Sequence, residues 1–305
     1  MPEPERPWAD EPLRVGLTVA TTANTDTGAV DAGRVVEAAR RAEAAGFDVV
    51  YVGDHLVHPR PMLESLVTLG AIAASTERIA LGPCVLLLAL RHPVLAANQL
   101  RTLATFAPGR LRIGVGVGGE YPAEFAAAGV PLAERGARTD AALDRLRAEL
   151  GEVPVFVGGS REPALRRAVE RADGWIGYLL GPESVARRVD RLSRLRASQG
   201  RACEPFATGM LLPVLVTDRP DGQARPRAEA AAAWARLTAT SAPLPERLFV
   251  AGPPDQVVAE LDAYRRAGCT ELVLTPADHG DAHLDQIDRL ATEVLPRLRA
   301  LDGRS

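Results

Sequence analysis

Lysine is absent from this sequence, and all 36 basic residues of the 305-residue chain are arginine. An enzyme without lysine cannot form a Schiff base with a sugar phosphate, nor anchor pyridoxal phosphate. Two large groups of lysine-dependent enzymes are therefore excluded. Positive charge is not in excess either, because 39 acidic residues give a net charge of −3. We therefore expect neither nucleic acid nor a membrane as a partner.

Long apolar runs are lacking as well. No stretch approaches the roughly 20 residues that a helix needs to span a bilayer. Residues 1–12 are rich in proline and acidic residues, unlike a signal peptide, and we expect them to form a flexible tail. Cysteine is scarce: Cys84, Cys203 and Cys269 lie singly within apolar segments. This usage predicts reduced, buried thiols and a cytoplasmic protein.

Apolar runs of strand type alternate with segments of helical periodicity along the chain. Eight strands are predicted, at 13–20, 48–53, 79–88, from 111 onward, and at 154–157, 174–178, 208–217 and 271–275. A helix is predicted after each strand, as at 31–46, where Gly46 is placed to end the helix. We therefore predict an α/β fold, a single-domain (β/α)8 TIM barrel over residues 13–305. The segment 218–254 could contain an additional element.

The fourth strand ends in a glycine-rich turn within residues 111–121. Gly114, Gly116 and Gly119 match the G-x-G-x-x-G pattern of dinucleotide-binding folds, which also requires an acidic residue roughly 20 positions on, at the end of the next strand. The next predicted strand lies farther along the chain and ends in Gly158 and Gly159 instead. A barrel strand whose glycine-rich end helps to form the floor for a flat ligand fits the sequence better.

The five histidines all follow predicted strands, at the barrel end where such enzymes carry their chemistry; they are His55, His58, His92, His279 and His283. Two kinds of site could use them. One is a metal site that activates water, although its ligands would come from the second and eighth strands, which are not adjacent. The other is a site for a phosphorylated planar cofactor. The segment around His279 could also be an ordinary solvated loop.

A phosphate site is indicated where the fifth strand passes into its helix. Gly158, Gly159 and Ser160 lie at the N-terminus of that helix, where free N–H groups and the helix dipole favour an anion. Arg135 or Arg138 could add a bidentate contact to the same anion. The alternatives are a tight turn without a ligand for the glycines and a solvated helix face for the arginines.

Motifs along most of the chain together resemble the bacterial luciferase-like family of flavin-dependent oxidoreductases. The resemblance is carried by residues 40–48, 52–56, 76–82, 90–93, 108–111, 124–125, 134–138, 155–159 and 172–175. It implies a TIM barrel, usually dimeric, that binds FMN or the 5-deazaflavin coenzyme F420 across the C-terminal face. It places His55 beside the reacting ring, and we expect His55 and Asp54 to be catalytic. It implies a cofactor site that we assign to Gly118, Gly119, Arg135, Arg138, Gly158, Gly159 and Ser160, with no metal ligand.

The implied chemistry is oxygenation with reduced FMN, or hydride transfer with the deazaflavin, on a small organic substrate. A flavin reductase or a supply of reduced deazaflavin would then be a partner. The chain departs from the family in two places: a long insertion that helps to cover the pocket is shortened near 150–154, and the fourth strand ends in Gly119 before Glu120. A non-catalytic flavin-binding storage protein and a metal-dependent hydrolase are the alternatives.

Overall fold

The computed structural model describes residues 12–218, 225–238, 244–301 and 303. Residues 1–11 of the predicted tail lie outside this range. The strands are β1 Arg14–Thr18, β2 Val49–Val52, β3 Ala80–Pro83, β4 Leu86–Leu87, β5 Ile113–Gly116, β6 Val155–Gly158, β7 Gly174–Tyr178, β8 Ala207–Val216, β9 Val250–Gly252 and β10 Glu271–Pro276.

The strands form a closed parallel barrel. Their order is β3-β2-β1-β10-β8-β7-β6-β5-β4, and β9 pairs with the end of β8. The barrel closes between β3 and the residues that lead into β5, because the Leu81 N–H donates to the Arg110 carbonyl (2.9 Å) and the Arg112 N–H donates to the Leu81 carbonyl (3.0 Å). The predicted barrel is confirmed. The prediction of one continuous third strand over 79–88 was wrong, because β3 and β4 are separated at Cys84 and Val85, which are joined by a cis peptide bond.

Helices surround the barrel. They are α1 Ala32–Ala45, α2 Ser65–Ser75, α3 Pro93–Phe106, α4 Pro122–Ala127, α5 Arg135–Leu150, α6 Glu162–Arg171, α7 Pro182–Ser198, α8 Arg225–Thr238, α9 Pro254–Arg266, α10 His283–Arg289 and α11 Leu295–Leu301. A π-helical segment, Leu290–Val294, joins α10 to α11. Gly46 ends α1 at φ 84°, as predicted, because glycine adopts the left-handed conformation without a Cβ clash.

The core has two layers. Strand β2 is buried along its whole length, as expected for a strand covered on both faces. Its residues alternate: Val50 packs in the cluster shared with the helices, whereas Tyr51 packs in the cluster inside the barrel. Inside the barrel the Tyr51 hydroxyl donates to Glu271 Oε1 (2.6 Å), and Arg112 Nη2 donates to Glu271 Oε2 (2.6 Å). Hydrogen-bonded charges therefore fill part of the barrel interior.

Several predicted details need revision. The helix expected from residue 61 begins at Ser65, and the short helix α4 was not predicted. The segment 218–254 contains the expected helix around Trp234 and also the additional strand β9, while 219–224 and 239–243 lie outside the described residues. Cys84 and Cys269 are buried as expected, but Cys203 is exposed. Among the helices that the structure describes, none is long and apolar enough to cross a membrane.

Candidate active site

A cavity of about 390 Å³ lies at the C-terminal ends of the barrel strands. Backbone glycines at the ends of β5 and β6 and apolar side chains form much of its wall. Three histidines also reach it: His55, His58 and His279. Among the predicted site residues, the cavity is lined by Asp54, His55, Gly118, Gly158 and Gly159. The strand ends therefore bring together residues that are far apart in the chain, such as His55 and His279, which are 224 positions apart.

His55 is held by a buried carboxylate that the sequence reasoning did not assign to the site. His55 Nδ1 lies 3.2 Å from Glu124 Oε1, and the Glu124 side chain is fully buried. The Leu56 N–H donates to the other oxygen of Glu124 (3.1 Å). Because a carboxylate accepts hydrogen bonds, we assign Nδ1 of His55 as the donor in this pair, which leaves Nε2 as the ring nitrogen that can accept a proton. This is the arrangement of a histidine base with an orienting carboxylate.

Tyr121 packs against both histidines on this side of the cavity. Its ring meets those of His55 and His58 edge-on, with centroids 4.9 Å and 5.2 Å apart. Its hydroxyl donates to the Thr238 carbonyl at the end of α8 (2.6 Å), which ties that helix to the turn after β5. Burial lowers the pKa of His58, so the ring of His58 is neutral near pH 7.

Asp54 lines the cavity, but its carboxylate is engaged on all sides. Ser65 Oγ donates to Oδ1 and the Leu87 N–H donates to Oδ2, both at 2.8 Å. Arg91 binds Asp54 in bidentate fashion, at 2.8 Å and 3.0 Å, and also reaches Glu64 at 2.7 Å. These bonds connect the end of β2, the start of α2 and β4, and they fix the segment from which His55 projects.

The opposite wall is formed by α8 and the segment after β10. Trp234 Nε1 donates to the Tyr178 hydroxyl (3.1 Å), and the Trp234 ring meets His279 edge-on at 6.5 Å between centroids. Burial raises the pKa of Tyr178, chiefly because the charged phenolate would lose solvation. This wall is aromatic and uncharged. The segment around His279 is thus part of the cavity, and not a solvated loop.

The remaining two histidines, His92 and His283, do not line the cavity. His283 Nδ1 lies 2.8 Å from the Asp278 carbonyl, and the Ala20 N–H donates to His283 Nε2 (3.3 Å). His92 is exposed directly before α3. In the part of the chain that the structure describes, no three histidine, cysteine or carboxylate side chains are close enough to hold a metal ion. The geometry therefore offers no support for the metal-dependent hydrolase alternative.

The two predicted anion-binding arginines, Arg135 and Arg138, belong to α5, and neither side chain lines the cavity. Gly118 and Gly119 turn the chain after β5 with φ 67° and 113°, and a Cβ added to Gly119 would meet Arg135 Nε at 3.4 Å. Arg135 donates through Nη1 to a neighbouring backbone carbonyl (2.7 Å). Arg138 pairs with Glu134 (3.3 Å) on an exposed helix face. Arg135 is therefore better placed than Arg138 to reach a ligand at the glycine turn.

The turn from β6 into α6 has the features of an anion site. Gly158 and Gly159 expose their backbone to the cavity, and Ser160 follows them at the start of the loop into α6. No side chain caps the N-terminus of α6, but Pro163 has no N–H and the Ala164 N–H donates to the Arg161 carbonyl (2.9 Å). Among the first three residues of the helix, the Glu162 N–H is therefore the one that remains for an anion. The Ser160 carbonyl is bound by Arg188 Nε (3.0 Å). The Ser160 side chain does not line the cavity.

A family model for luciferase-like monooxygenases matches residues 14–153 and 142–271. The chain belongs to this family. An F420-dependent glucose-6-phosphate dehydrogenase of Beutenbergia cavernae is 33% identical over 85% of this chain and 91% of its own length. The fold is similar to an F420-dependent secondary alcohol dehydrogenase bound to an F420-acetone adduct, with TM-score 0.80, 19% identity, and 94% and 99% of the two chains covered.

A second solved structure with a similar fold is the monooxygenase RslO1 from Streptomyces bottropensis. It is 21% identical, with TM-score 0.75 and 93% and 99% of the two chains covered. These structural similarities concern the fold. Together with the family match they confirm the resemblance seen in the sequence motifs. Glu124 lies within one of those motifs, residues 124–125, and that membership was the one signal that marked it out before the structure.

Proposed function

We propose that this protein is an oxidoreductase that uses coenzyme F420 and transfers a hydride between the deazaflavin and a small alcohol or carbonyl compound. The observation that carries the proposal is the pair formed by His55 and the buried Glu124 at the cavity wall. Removing a hydride from an alcohol leaves a proton on its oxygen, and a positioned base is needed to take it. His55 is that base.

The proton that leaves the hydroxyl oxygen of the substrate is taken up by Nε2 of His55. Glu124 fixes the ring through Nδ1 and stabilises the imidazolium that forms when Nε2 takes the proton. In the reverse direction Nε2 returns the proton to the carbonyl oxygen. Asp54 does not take part in proton transfer, because Ser65, Leu87 and Arg91 occupy its carboxylate. We assign Asp54 the role of positioning the His55 segment.

The residues present fit a phosphorylated tricyclic cofactor. The glycine ends of β5 and β6 leave backbone exposed at the cavity wall, where a flat ring can approach closely. The start of α6, which no side chain caps, and Arg135, which lies against Gly119 at the turn after β5, are the groups proposed to bind its phosphate. When bound, coenzyme F420 accepts or donates the hydride that the substrate exchanges. The residues proposed to hold it are Gly118, Gly119, Arg135, Gly158, Gly159 and Ser160, with Arg138 at the margin.

FMN with oxygenation is the other chemistry that the sequence predicts, and two observations favour the deazaflavin. The relative from Beutenbergia cavernae, matched over most of both chains, is named as F420-dependent. The direct connection between α5 and β6, from Leu150 to Val155, adds no element over the cavity. An oxygenated flavin intermediate needs protection from water, whereas hydride transfer makes a weaker demand of this kind.

The proposed assembly is a homodimer through α2 and α3. The eleven residues of α2 include no charged side chain, which is typical of a helix that is covered on most sides. Val67 of α2 is nevertheless 72% exposed, and Leu95 of α3 is 55% exposed. A second copy packed on this face would bury both side chains.

The test is a titration of the purified protein with coenzyme F420, reduced FMN and FMN, followed by fluorescence quenching, together with turnover of the bound cofactor. We expect micromolar or tighter binding of F420 and its reduction by an alcohol. His55→Ala should keep the fold and the F420 affinity but lose turnover by about 10²–10⁴-fold. Tight binding without any turnover would favour the storage protein, and preference for reduced FMN would favour oxygenation.

A further inference from the structure

His58 lies beside His55 in the cavity wall, on the loop that follows β2. The centroids of the two rings are 5.4 Å apart, and the rings are tilted by 37°. Tyr121 packs edge-on against both rings and holds them side by side. Proton transfer requires only the ring of His55, and the second ring in the same wall has different hydrogen-bond partners.

One ring nitrogen of His58 is engaged by the backbone. Nδ1 lies 3.1 Å from both the N–H and the carbonyl oxygen of Arg60, two residues along the chain. A side chain that accepts from the N–H of residue i+2 closes a turn in the way that asparagine and aspartate commonly do. A backbone N–H left without an acceptor is rarer in proteins than a carbonyl left without a donor. We therefore assign Nδ1 as the acceptor, so the neutral ring carries its hydrogen on Nε2.

Nε2 of His58 is accessible from the cavity. It makes no hydrogen bond among the described residues, and it is not one of the buried side-chain nitrogens that lack a partner. The same holds for Nε2 of His55, whose side chain is 22% exposed. Two hydrogen bonds of about 2.9 Å that meet at one oxygen place their nitrogens up to about 5.8 Å apart. Rings with centroids 5.4 Å apart are therefore close enough to share one ligand oxygen.

The two Nε2 atoms differ in what they offer to that oxygen. His55 presents a lone pair, because its Nδ1 donates to Glu124, whereas His58 presents an N–H. A hydroxyl group has one hydrogen and two lone pairs, so it can donate to the first and accept from the second at the same time. Burial lowers the pKa of His58, and its ring is neutral near pH 7. Protonation at lower pH would leave the hydrogen on Nε2 in place.

We propose that His58 is a second catalytic residue, which donates a hydrogen bond from Nε2 to the reacting oxygen of the substrate while His55 takes the proton of that oxygen. This inference rests on the proposed function and deepens it. The carbinol C–H bond breaks, and its hydrogen leaves with the electron pair to the deazaflavin. The hydroxyl proton passes to Nε2 of His55, and the C–O bond becomes a carbonyl. The hydrogen on His58 is not transferred.

The hydrogen bond from His58 is strongest when the substrate oxygen carries negative charge. Such charge develops as the hydroxyl proton moves to His55, so a fixed donor stabilises the transition state more than the bound substrate. We expect loss of this donor to weaken binding of a neutral ligand by about 3–10-fold, and to lower kcat/KM by about 10–100-fold. These ranges correspond to hydrogen bonds that involve neutral and charged groups, respectively, so kcat falls as well as affinity.

Two substitutions distinguish a role in the cavity from a role in the turn. His58→Asn keeps an oxygen that can accept from the Arg60 N–H, but it has no atom at the position of Nε2. His58→Gln places its amide nitrogen near that position. We expect the asparagine variant to show the losses with its fold intact, and the glutamine variant to recover much of kcat/KM. Parent values in the asparagine variant, or a glutamine variant no better than it, would overturn the proposal.

The control for these variants is His92→Asn. His92 is exposed before α3 and does not line the cavity. Replacing it removes a histidine of the same barrel end without touching either ring of the pair. We expect kcat, KM and the melting temperature of this variant to equal those of the parent, which calibrates the effects measured at His58.

Nitrogen-15 NMR of labelled histidines tests the assignment in the protein without cofactor. We expect hydrogen on Nε2 of His58 and on Nδ1 of His55. The probes are cyclohexanone and methylenecyclohexane, which share one shape but differ in the oxygen. The ketone, and not the alkene, should shift the Nε2 resonance of His58. Hydrogen on Nδ1 of His58, or the same response to both probes, would overturn the proposal. If these results hold but F420 does not bind, the proposed function fails while the donor at His58 stands, so the two failures are distinguishable.

Discussion

Replacing Glu124 by glutamine is expected to shift His55 to the tautomer that cannot act as the base, while the fold changes little. Glu124 accepts two hydrogen bonds with its two oxygens, from His55 Nδ1 at 3.2 Å and from the Leu56 N–H at 3.1 Å. Glutamine has one oxygen and one amide nitrogen, so it cannot accept both. If its oxygen keeps Leu56, its NH2 group faces His55 and favours the tautomer that carries hydrogen on Nε2.

The size of the effect follows from that change of tautomer. A ring with hydrogen on Nε2 cannot take a proton from the substrate, so the general-base contribution of about 10²–10⁴-fold in kcat is lost. Stability should fall by no more than about 1.5–3 kcal/mol, the value of a hydrogen bond to a charged group. The removal of a fully buried charge offsets part of that loss. Affinity for coenzyme F420 should be unchanged.

The assay has two independent readouts. Nitrogen-15 NMR of labelled histidine side chains reports which ring nitrogen of His55 carries the hydrogen, and steady-state turnover reports kcat. Glu64→Gln is the matched control, because Glu64 is also a carboxylate in this region but pairs with Arg91. The reasoning is refuted if Glu124→Gln leaves hydrogen on Nδ1 of His55, or if its kcat stays within a factor of two of the parent.

Three further predictions concern the cofactor, the assembly and the pH dependence. Arg135→Ala should weaken F420 binding by about 10–100-fold but leave the dephosphorylated cofactor unaffected; equal losses in titrations of the two would place Arg135 away from the phosphate. If the protein forms the proposed dimer, Val67→Glu should convert it to a monomer in analytical ultracentrifugation, whereas Val30→Glu, at a valine 36% exposed outside α2, should not. Burial lowers the pKa of His279 and of His283, so the unfolded chain binds these protons first. The contribution of these histidines to the free energy of unfolding should be greatest above pH ~6.5, the pKa of histidine in the unfolded chain, and should fall at lower pH by up to ~1.4 kcal/mol per pH unit for each histidine. Urea unfolding that gives the same free energy at neutral and mildly acid pH would contradict this.

The barrel was predictable because the sequence patterns that indicate its strands and helices each lie within a short stretch of the chain. The period of apolar residues distinguishes strands from helices, and breakers such as Gly46 mark where a helix ends. The interruption between β3 and β4 was not predictable in the same way. Residues 79–90 are almost continuously apolar, and nothing in that run indicates that the chain leaves the sheet at Cys84 and Val85.

The positions of some site residues were predictable, but their contacts were not. In a parallel barrel the rule that strand ends share one face locates residues such as His55 and Gly158 without knowledge of their contacts. Which side chains then pair depends on distances that the sequence does not contain. Glu124 follows His55 by 69 positions and lies on α4, a helix of six residues. So short a helix has too few turns to produce a periodic signal.

The charge of the cavity was even less predictable, because the number of arginines in the sequence does not determine where their side chains lie. The 36 arginines of this chain would allow an anion-binding cavity as easily as an uncharged one. In the structure Arg91, Arg112 and Arg60 do not line the cavity, and each is engaged with a carboxylate or a backbone carbonyl. An arginine held in this way supports the wall without reaching a ligand. Whether a cavity carries positive charge therefore depends on where the carboxylates and carbonyls lie, and the count of arginines carries no information about it.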